Sequence, residues 1–147
     1  MSGAEDGLRR QFAALPFTVG GDGDVRILLV SSRGTGRWVL PKGWPDKADA
    51  TNADTARREA FEEAGVQGDI VGLKEVGAYR YEQIAKDGVA ANCRVGVFAL
   101  RVTGLAKSWP EKGQRVLRWC APRQGASLVQ EPELSALLSR FKPPVEF

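Results

Sequence analysis

The sequence predicts an α+β fold: a mixed β-sheet with helices packed on it, as an α/β/α sandwich. Three observations predict it. Strand-length apolar segments come first, then a helical pattern at about 52–64, then more strands, then a helical pattern from Pro132. The 52–64 segment carries a small apolar face that suits close packing on a sheet. NCRVGVFALRV (92–102) is largely apolar on both alternating faces, as a central strand is.

The elements follow in order. FAALPFTV (12–19) reads as a strand, with Pro16 suggesting an edge or a bulge because proline donates no ladder hydrogen bond. GGDGD (20–24) is turn chemistry, VRILLVSS (25–32) a second strand and RGTG (33–36) a second turn. RWVLP (37–41) reads as a short third strand and KGWPDKADA (42–50) as an irregular loop. In the helix at about 52–64, Thr51 with Asp54 forms a capping-box pattern, and Gly65 stands at the left-handed C-cap position. Strands are expected at 71–84 and 91–103, with KDG (86–88) turning between them. SWPEKG (108–113) reads as a loop and QRVLRWCA (114–121) as a strand. The last helix begins near Pro132 and places Leu134, Leu137, Leu138 and Phe141 on one stripe; Pro143 and Pro144 stop it.

The 147 residues fit one domain, 1–147, with a hydrophobic core of its own. At 43% apolar and 27% charged, the composition is that of a globular protein rather than a disordered or collagenous one. No apolar run approaches the roughly 20 residues that span a bilayer, so no membrane partner is expected. MSGAEDGLRRQF has no apolar signal-peptide core, and a cytoplasmic location is expected. Cys93 and Cys120 lie in apolar segments and read as buried, reduced thiols. There is no histidine, which removes Ser-His and Cys-His nucleophile pairs, HExxH zinc sites and any imidazole base. Acid–base or metal chemistry must therefore run on carboxylates. A net charge of +3 suits an anionic partner but is too small to argue for DNA.

REAFEEAGV (58–66) raises the sharpest question, because it crowds Glu59, Glu62 and Glu63 together. At about 100° per residue, Glu63 lies about 40° to one side of Glu59 and Glu62 about 60° to the other. Ala53, Ala56, Ala60, Ala64 and Phe61 occupy another arc. Arg58 stands four residues before Glu62 and can pair with it. Three carboxylates on one face make an oxygen-rich site suited to Mg²⁺ or Mn²⁺, and such an ion can also bind a phosphate.

GWPDKADATNADTARREAFEEAGV, residues 43–66, resembles the signature of the Nudix hydrolases. That signature is a glycine, five residues, a glutamate, seven residues, then Arg-Glu-apolar-x-Glu-Glu-x-Gly-apolar. The second half is matched by Arg58, Glu59, Ala60, Glu62, Glu63, Gly65 and Val66. The first half departs: Asp49 replaces the glutamate, and eight residues rather than seven precede Arg58, so no role is carried over to Asp49. RQFAALPF, GRWVLPKGWP and WPEKGQRVLRW are similar to the branch containing diphosphoinositol polyphosphate and diadenosine polyphosphate hydrolases.

The resemblance implies a Nudix-type α/β/α sandwich and Mg²⁺- or Mn²⁺-dependent hydrolysis of a pyrophosphate bond. It implies Glu59 and Glu63 as the main metal ligands. Glu62 would complete the site or take the proton of the attacking water, Arg58 would orient a glutamate, and a backbone carbonyl near Lys42–Gly43 would be a further ligand. Glu111 in the 108–113 loop is a second candidate base. Arg37, Lys42, Gly43 and Arg115 are expected to bind the substrate's phosphates, with Arg10 and Trp44 as further candidates and Arg9 and Arg118 behind them. Trp38 and Trp119, in strands, are expected to pack rather than bind. The expected partner is a small-molecule polyphosphate: a diadenosine polyphosphate, an inositol pyrophosphate, ADP-ribose or an oxidised nucleotide. A homodimer is consistent with the resemblance. A non-catalytic nucleotide sensor and an RNA 5′-end pyrophosphohydrolase are the alternatives.

Overall fold

The computed structural model describes residues 8–72, 74–84 and 87–144. The strands are β1 (Leu8–Val19), β2 (Val25–Ser31), β3 (Trp38–Val39), β4 (Lys42–Gly43), β5 (Val66–Ile70), β6 (Gly77–Ile84), β7 (Ala90–Leu105) and β8 (Leu117–Cys120). The helices are α1 (Asn52–Ala64), α2 (Pro122–Leu128) and α3 (Pro132–Ser139).

All eight strands belong to one sheet, with β3-β2-β1-β7-β5 as its main path. β1 runs parallel to β7, from Leu8 opposite Asn92 to Phe17 opposite Arg101. The other pairings among the described residues are antiparallel, so the sheet is mixed as expected. β7 also pairs with β5 and β6, which makes it the central strand its two apolar faces predict.

Strand alternation builds two core layers. Phe12 and Ala14 of β1 face Ala56, Ala60 and Ala64 of α1. Ala13, Leu15 and Phe17 of the same strand face Ala126 of α2 and Leu134, Leu137 and Leu138 of α3. The sheet is thus the middle layer of an α/β/α sandwich. The three α1 alanines are fully buried, and their small side chains let the helix backbone lie close to the sheet. Both cysteines are buried and free. Among the described residues no helix is long and apolar enough to cross a membrane.

α1 begins and ends where local chemistry predicts. Thr51 Oγ1 accepts the Asp54 amide at 3.1 Å, and Asp54 Oδ2 accepts the Thr51 amide at 3.0 Å. Gly65 closes the helix in the left-handed region, with φ 70°, and its amide donates to Ala60 and Phe61.

Several boundaries differ from expectation, each for a long-range reason. β1 starts at Leu8 rather than 12, because β7 supplies a parallel partner from Asn92 onward. Pro16 lies within a central strand, not at an edge. On the side away from β7, β1 pairs with β4 at residues 12–13 and with β2 at residues 17–19, and Pro16 falls between them. Lys42 and Gly43 are not loop but β4, bridged to Ala13 and Phe12. The strand expected at 71–84 begins at Gly77, and the strand expected at 114–121 is confined to 117–120. β5 and α2 had no counterpart in the sequence reading. Within the expected 86–88 turn, Lys86 lies outside the described residues, and Gly88 takes φ 81°.

Candidate active site

The helix α1 presents its glutamates unequally. The Glu63 side chain is 5% exposed, Glu59 13% and Glu62 34%, so two carboxylates are enclosed and one reaches solvent. The Glu59 and Glu63 carboxyls interact, in the direction that favours a proton on Glu63 over one on Glu59. Burial, reinforced by that interaction, pushes the Glu63 carboxyl up to about 8. Burial also raises Glu59. The Lys42 amide donates to Glu63 Oε2 at 3.2 Å.

Gly43 makes room for this pair. A β-carbon there would stand 2.4 Å from the Glu59 carboxylate, so any larger residue would push that carboxylate out of its present place. At the other end of the helix, a β-carbon on Gly65 would stand 2.3 Å from the Trp109 ring. The Glu111 amide donates to the Glu62 carbonyl at 2.9 Å. The 108–113 loop is thereby seated on the end of α1.

Arg58 commits all three of its nitrogens. Nε donates to Asp49 Oδ1 at 3.0 Å, and Nη2 donates to Asp49 Oδ2 and the Trp44 carbonyl, both at 3.0 Å. Nη1 donates to Glu59 Oε2 at 3.0 Å and to both Glu62 oxygens at 3.3 Å. The hydrogen bond from Arg58 leads the causes that hold the Asp49 carboxyl well below the usual range, and the same contact raises the guanidinium.

On the opposite side, Arg33, Arg37, Lys42, Glu63, Gln83 and Arg115 help to line a cavity of about 340 Å³. Arg115 Nη2 lies 3.6 Å from Glu63 Oε1, and its Nε donates to Glu111 Oε1 at 2.9 Å. Lys42 Nζ donates to Tyr81 Oη at 3.0 Å and to Gln11 Oε1 at 3.3 Å. Burial lowers the Lys42 ammonium, and Glu63 opposes that shift. Through Glu63, a carboxylate pair that suits a cation thus meets a pocket of cations that suits an anion.

A family model for the NUDIX domain matches residues 8–141. The chain belongs to the Nudix hydrolase family. Over 121 residues this Nudix chain is 33% identical to Nudix hydrolase 12, mitochondrial, of Arabidopsis thaliana, covering 80% of the chain and 58% of that protein. Over 106 residues it is 32% identical to diphosphoinositol polyphosphate phosphohydrolase 3-alpha of Mus musculus, covering 72% of the chain and 58% of that protein. It therefore spans 58% of the length of each of these two relatives. Its fold is shared with a crystal structure of C. elegans Ap4A hydrolase, at TM-score 0.63 and 19% identity, covering 90% of this chain and 94% of that one.

The residues expected from the Nudix signature are brought together in two groups. Glu59 and Glu63 form the enclosed pair against Gly43, while Glu62 is turned onto Arg58. Among the described residues, no three His, Cys, Asp or Glu side chains are gathered as a metal site. The all-oxygen chemistry of the Glu59–Glu63 pair nevertheless fits a hard divalent cation, which would take the place of the Glu63 proton. Of the residues expected to hold phosphates, Arg37, Lys42 and Arg115 line the cavity. Arg10 is exposed on β1 opposite Arg94, and neither it nor Arg9 lines that cavity. Trp44 is exposed, and its contribution to the site is its carbonyl, which receives Arg58. Trp38 and Trp119 pack at the margins of the two core layers, and Arg118 lies 5.6 Å over the Trp38 ring.

Three kinds of participant escaped sequence reasoning. Asp49 stands outside the signature spacing, yet it anchors Arg58 and accepts Thr55 Oγ1 at 2.9 Å. Its signal was present in the sequence, as an acid in the loop leading to the arginine. Gln11, Tyr81 and Gln83 reach Lys42 or the cavity only through the pairing of β1, β7 and β6, which no local pattern reveals. Glu131 contacts Arg37 at 2.8 Å across 94 residues of sequence.

Proposed function

We propose that this chain is a Mg²⁺- or Mn²⁺-dependent pyrophosphohydrolase. Its substrate is a small polyphosphate, either linked to a nucleoside diphosphate or of the diphosphoinositol type. One observation carries this reading: Glu63, enclosed beside Glu59, lines a cavity whose other charged walls are arginines and a lysine. The match to a diphosphoinositol polyphosphate phosphohydrolase supports the same substrate class.

Glu59 and Glu63 would hold the ion, with Glu62 and the backbone at Lys42–Gly43 completing its surroundings. Bound there, Mg²⁺ or Mn²⁺ supplies charge neutralisation and polarises the phosphate oxygens. Arg115, Lys42 and Arg37 bind and orient the phosphates along the cavity, so that the anhydride phosphorus faces the helix. Attack by water forms one phosphorus–oxygen bond and breaks the bridging one, and the water's proton passes to a carboxylate of α1. Glu62 is suited to take it, being the most exposed of the three and placed by Arg58. Glu111 is tied to Arg115 at 2.9 Å and therefore acts on that arginine's position.

The test is a product-resolved screen of nucleotide and inositol pyrophosphates with Mg²⁺ and with Mn²⁺, run on the intact chain and on Glu63→Gln. Hydrolysis by the intact chain and its loss in the variant are expected. Equal rates in both would remove the catalytic reading.

A further inference from the structure

Arg37 is held from one side only. Its Nη1 donates to Glu131 Oε2 at 2.8 Å and to Gln130 Oε1 at 3.1 Å. Its Nε and Nη2 donate to none of the described residues, although the side chain lines the cavity and is 30% exposed. That is the reverse of Arg58, whose three nitrogens are all engaged.

Glu131 is an unusual anchor. Its side chain is 8% exposed, and its Oε1 is buried with no hydrogen-bond partner. It occupies the N-cap position of α3, yet its side chain caps nothing. A carboxylate oxygen left without a partner in the interior costs free energy. Two cheaper arrangements, solvent and the helix cap, are both forgone, and what Glu131 gains is Arg37.

The geometry points to Glu131, with Gln130, as a positioning residue: the turn before α3 grips Nη1 of Arg37 and presents its Nε–Nη2 edge to an outer phosphate of the substrate. That edge is the planar fork that meets two phosphate oxygens at once. The inference rests on the polyphosphate reading of the cavity and adds the residue that fixes how one phosphate is met. Arg37 carries the contact, and Glu131 acts only through it.

Calorimetric titration in Mg²⁺ buffer with the imido analogue of inorganic tripolyphosphate, whose P–N–P bridges resist hydrolysis, tests this without turnover, on the intact chain, Arg37→Ala, Glu131→Ala and the double variant. Loss of a charge-assisted hydrogen bond predicts about tenfold weaker binding for Arg37→Ala. Glu131→Ala is expected to weaken binding about fivefold, and to add nothing further once Arg37 is alanine. The melting temperature of Glu131→Ala should change little, since loss of the Arg37 contact is offset by removal of a buried oxygen that had no partner. A fivefold loss that persists in the Arg37→Ala background, or no loss at all, overturns the inference.

Should Glu131→Ala fail to fold, Arg37→Lys decides. Lysine keeps one donor for Glu131 but has no second edge, so binding must weaken several-fold; unchanged binding overturns the inference. If the imido analogue binds with this pattern but none of the nucleotide or inositol pyrophosphates is hydrolysed, the catalytic reading fails and this one stands. If hydrolysis is normal and Glu131→Ala binds like the intact chain, only this inference fails. No binding by the intact chain overturns both.

Discussion

The two sides of the Glu59–Glu63 pair are built on opposite principles. Toward the loop before α1, a single cation, Arg58, stands among Asp49, Glu59 and Glu62, with every nitrogen engaged. Toward the cavity, four cations, Arg33, Arg37, Lys42 and Arg115, face Glu63, Glu111 and Glu131, and Arg37 keeps two nitrogens free of described partners. A saturated arginine is part of the scaffold, because a ligand could take it only by breaking contacts already made. A partly used arginine in a cavity still has contacts to offer. The Nudix resemblance assigns Arg58 to orient a glutamate and Arg37 to bind phosphate, but it does not tell which of the two is saturated.

The largest effect should come from the carboxylates between those sides. Glu63→Gln is expected to lower kcat on the order of 10²–10⁴-fold, because it removes an enclosed ligand and proton site. Glu62→Gln should cost less, about 10²-fold, since it removes the proton acceptor but leaves both enclosed carboxylates in place. Steady-state kinetics on the two variants breaks the comparison if their order is reversed.

Next comes the scaffold side. Asp49→Ala leaves the Arg58 Nε without its acceptor and Nη2 with only the Trp44 carbonyl. Outer partners of metal ligands cost about 10–100-fold in metal affinity when removed, and Mn²⁺ affinity should fall within that range. Mn²⁺ titration followed by electron paramagnetic resonance measures it directly. Unchanged affinity would mean that the loop before α1 supports the fold and not the site.

How much of this was legible in the sequence divides along the same line. The capping box, Gly65 and the α1 boundaries are set by residues within a few positions of one another, and they appear where expected. The carboxylate cluster was legible from helical periodicity for the same reason. β5 and α2 were not. Val66–Ile70 is a strand because β7 pairs with it through a bulge, where a β-carbon on Gly68 would stand 2.1 Å from the Arg101 carbonyl oxygen. α2 contains a glycine and two serine or glutamine positions of modest helix propensity, and Gly125 is needed where Ile27 comes within 2.8 Å of a would-be β-carbon. The Glu131–Arg37 contact, likewise, exists only once β3 and the turn before α3 are adjacent. Local chemistry was readable, and anything that depends on which strands meet was not.

A smaller and sharper effect is expected from pH. Glu63 titrates at about 8 in the folded chain, against an ordinary value of 4.5. Between those values the folded chain keeps a proton that the unfolded chain has released. Without divalent metal, stability is therefore present at low pH and falls as pH rises through that window, by up to about 1.4 kcal/mol per unit. Mn²⁺ takes the place of the proton and should flatten or invert the slope, because a ligating carboxylate must be ionised. Urea unfolding between pH 5 and 8, in chelator and in Mn²⁺, checks both signs; a stability that rises with pH in chelator would contradict the enclosed pair.

The smallest effect is expected at Arg10, and it tests whether position relative to the cavity matters more than charge. Arg10 is exposed on β1, opposite Arg94, and does not line the cavity. Its charge adds to the same basic total as that of Arg37. If net charge alone drew the polyphosphate, Arg10→Ala and Arg37→Ala would raise KM alike. If the cavity does the recognising, Arg10→Ala should change KM less than about twofold at 0.15 M salt, where exposed charges beyond roughly 8 Å are screened. Raising the salt should then erase the Arg10 effect and leave most of the Arg37 effect, since only the latter is a contact held in a fixed geometry by Glu131.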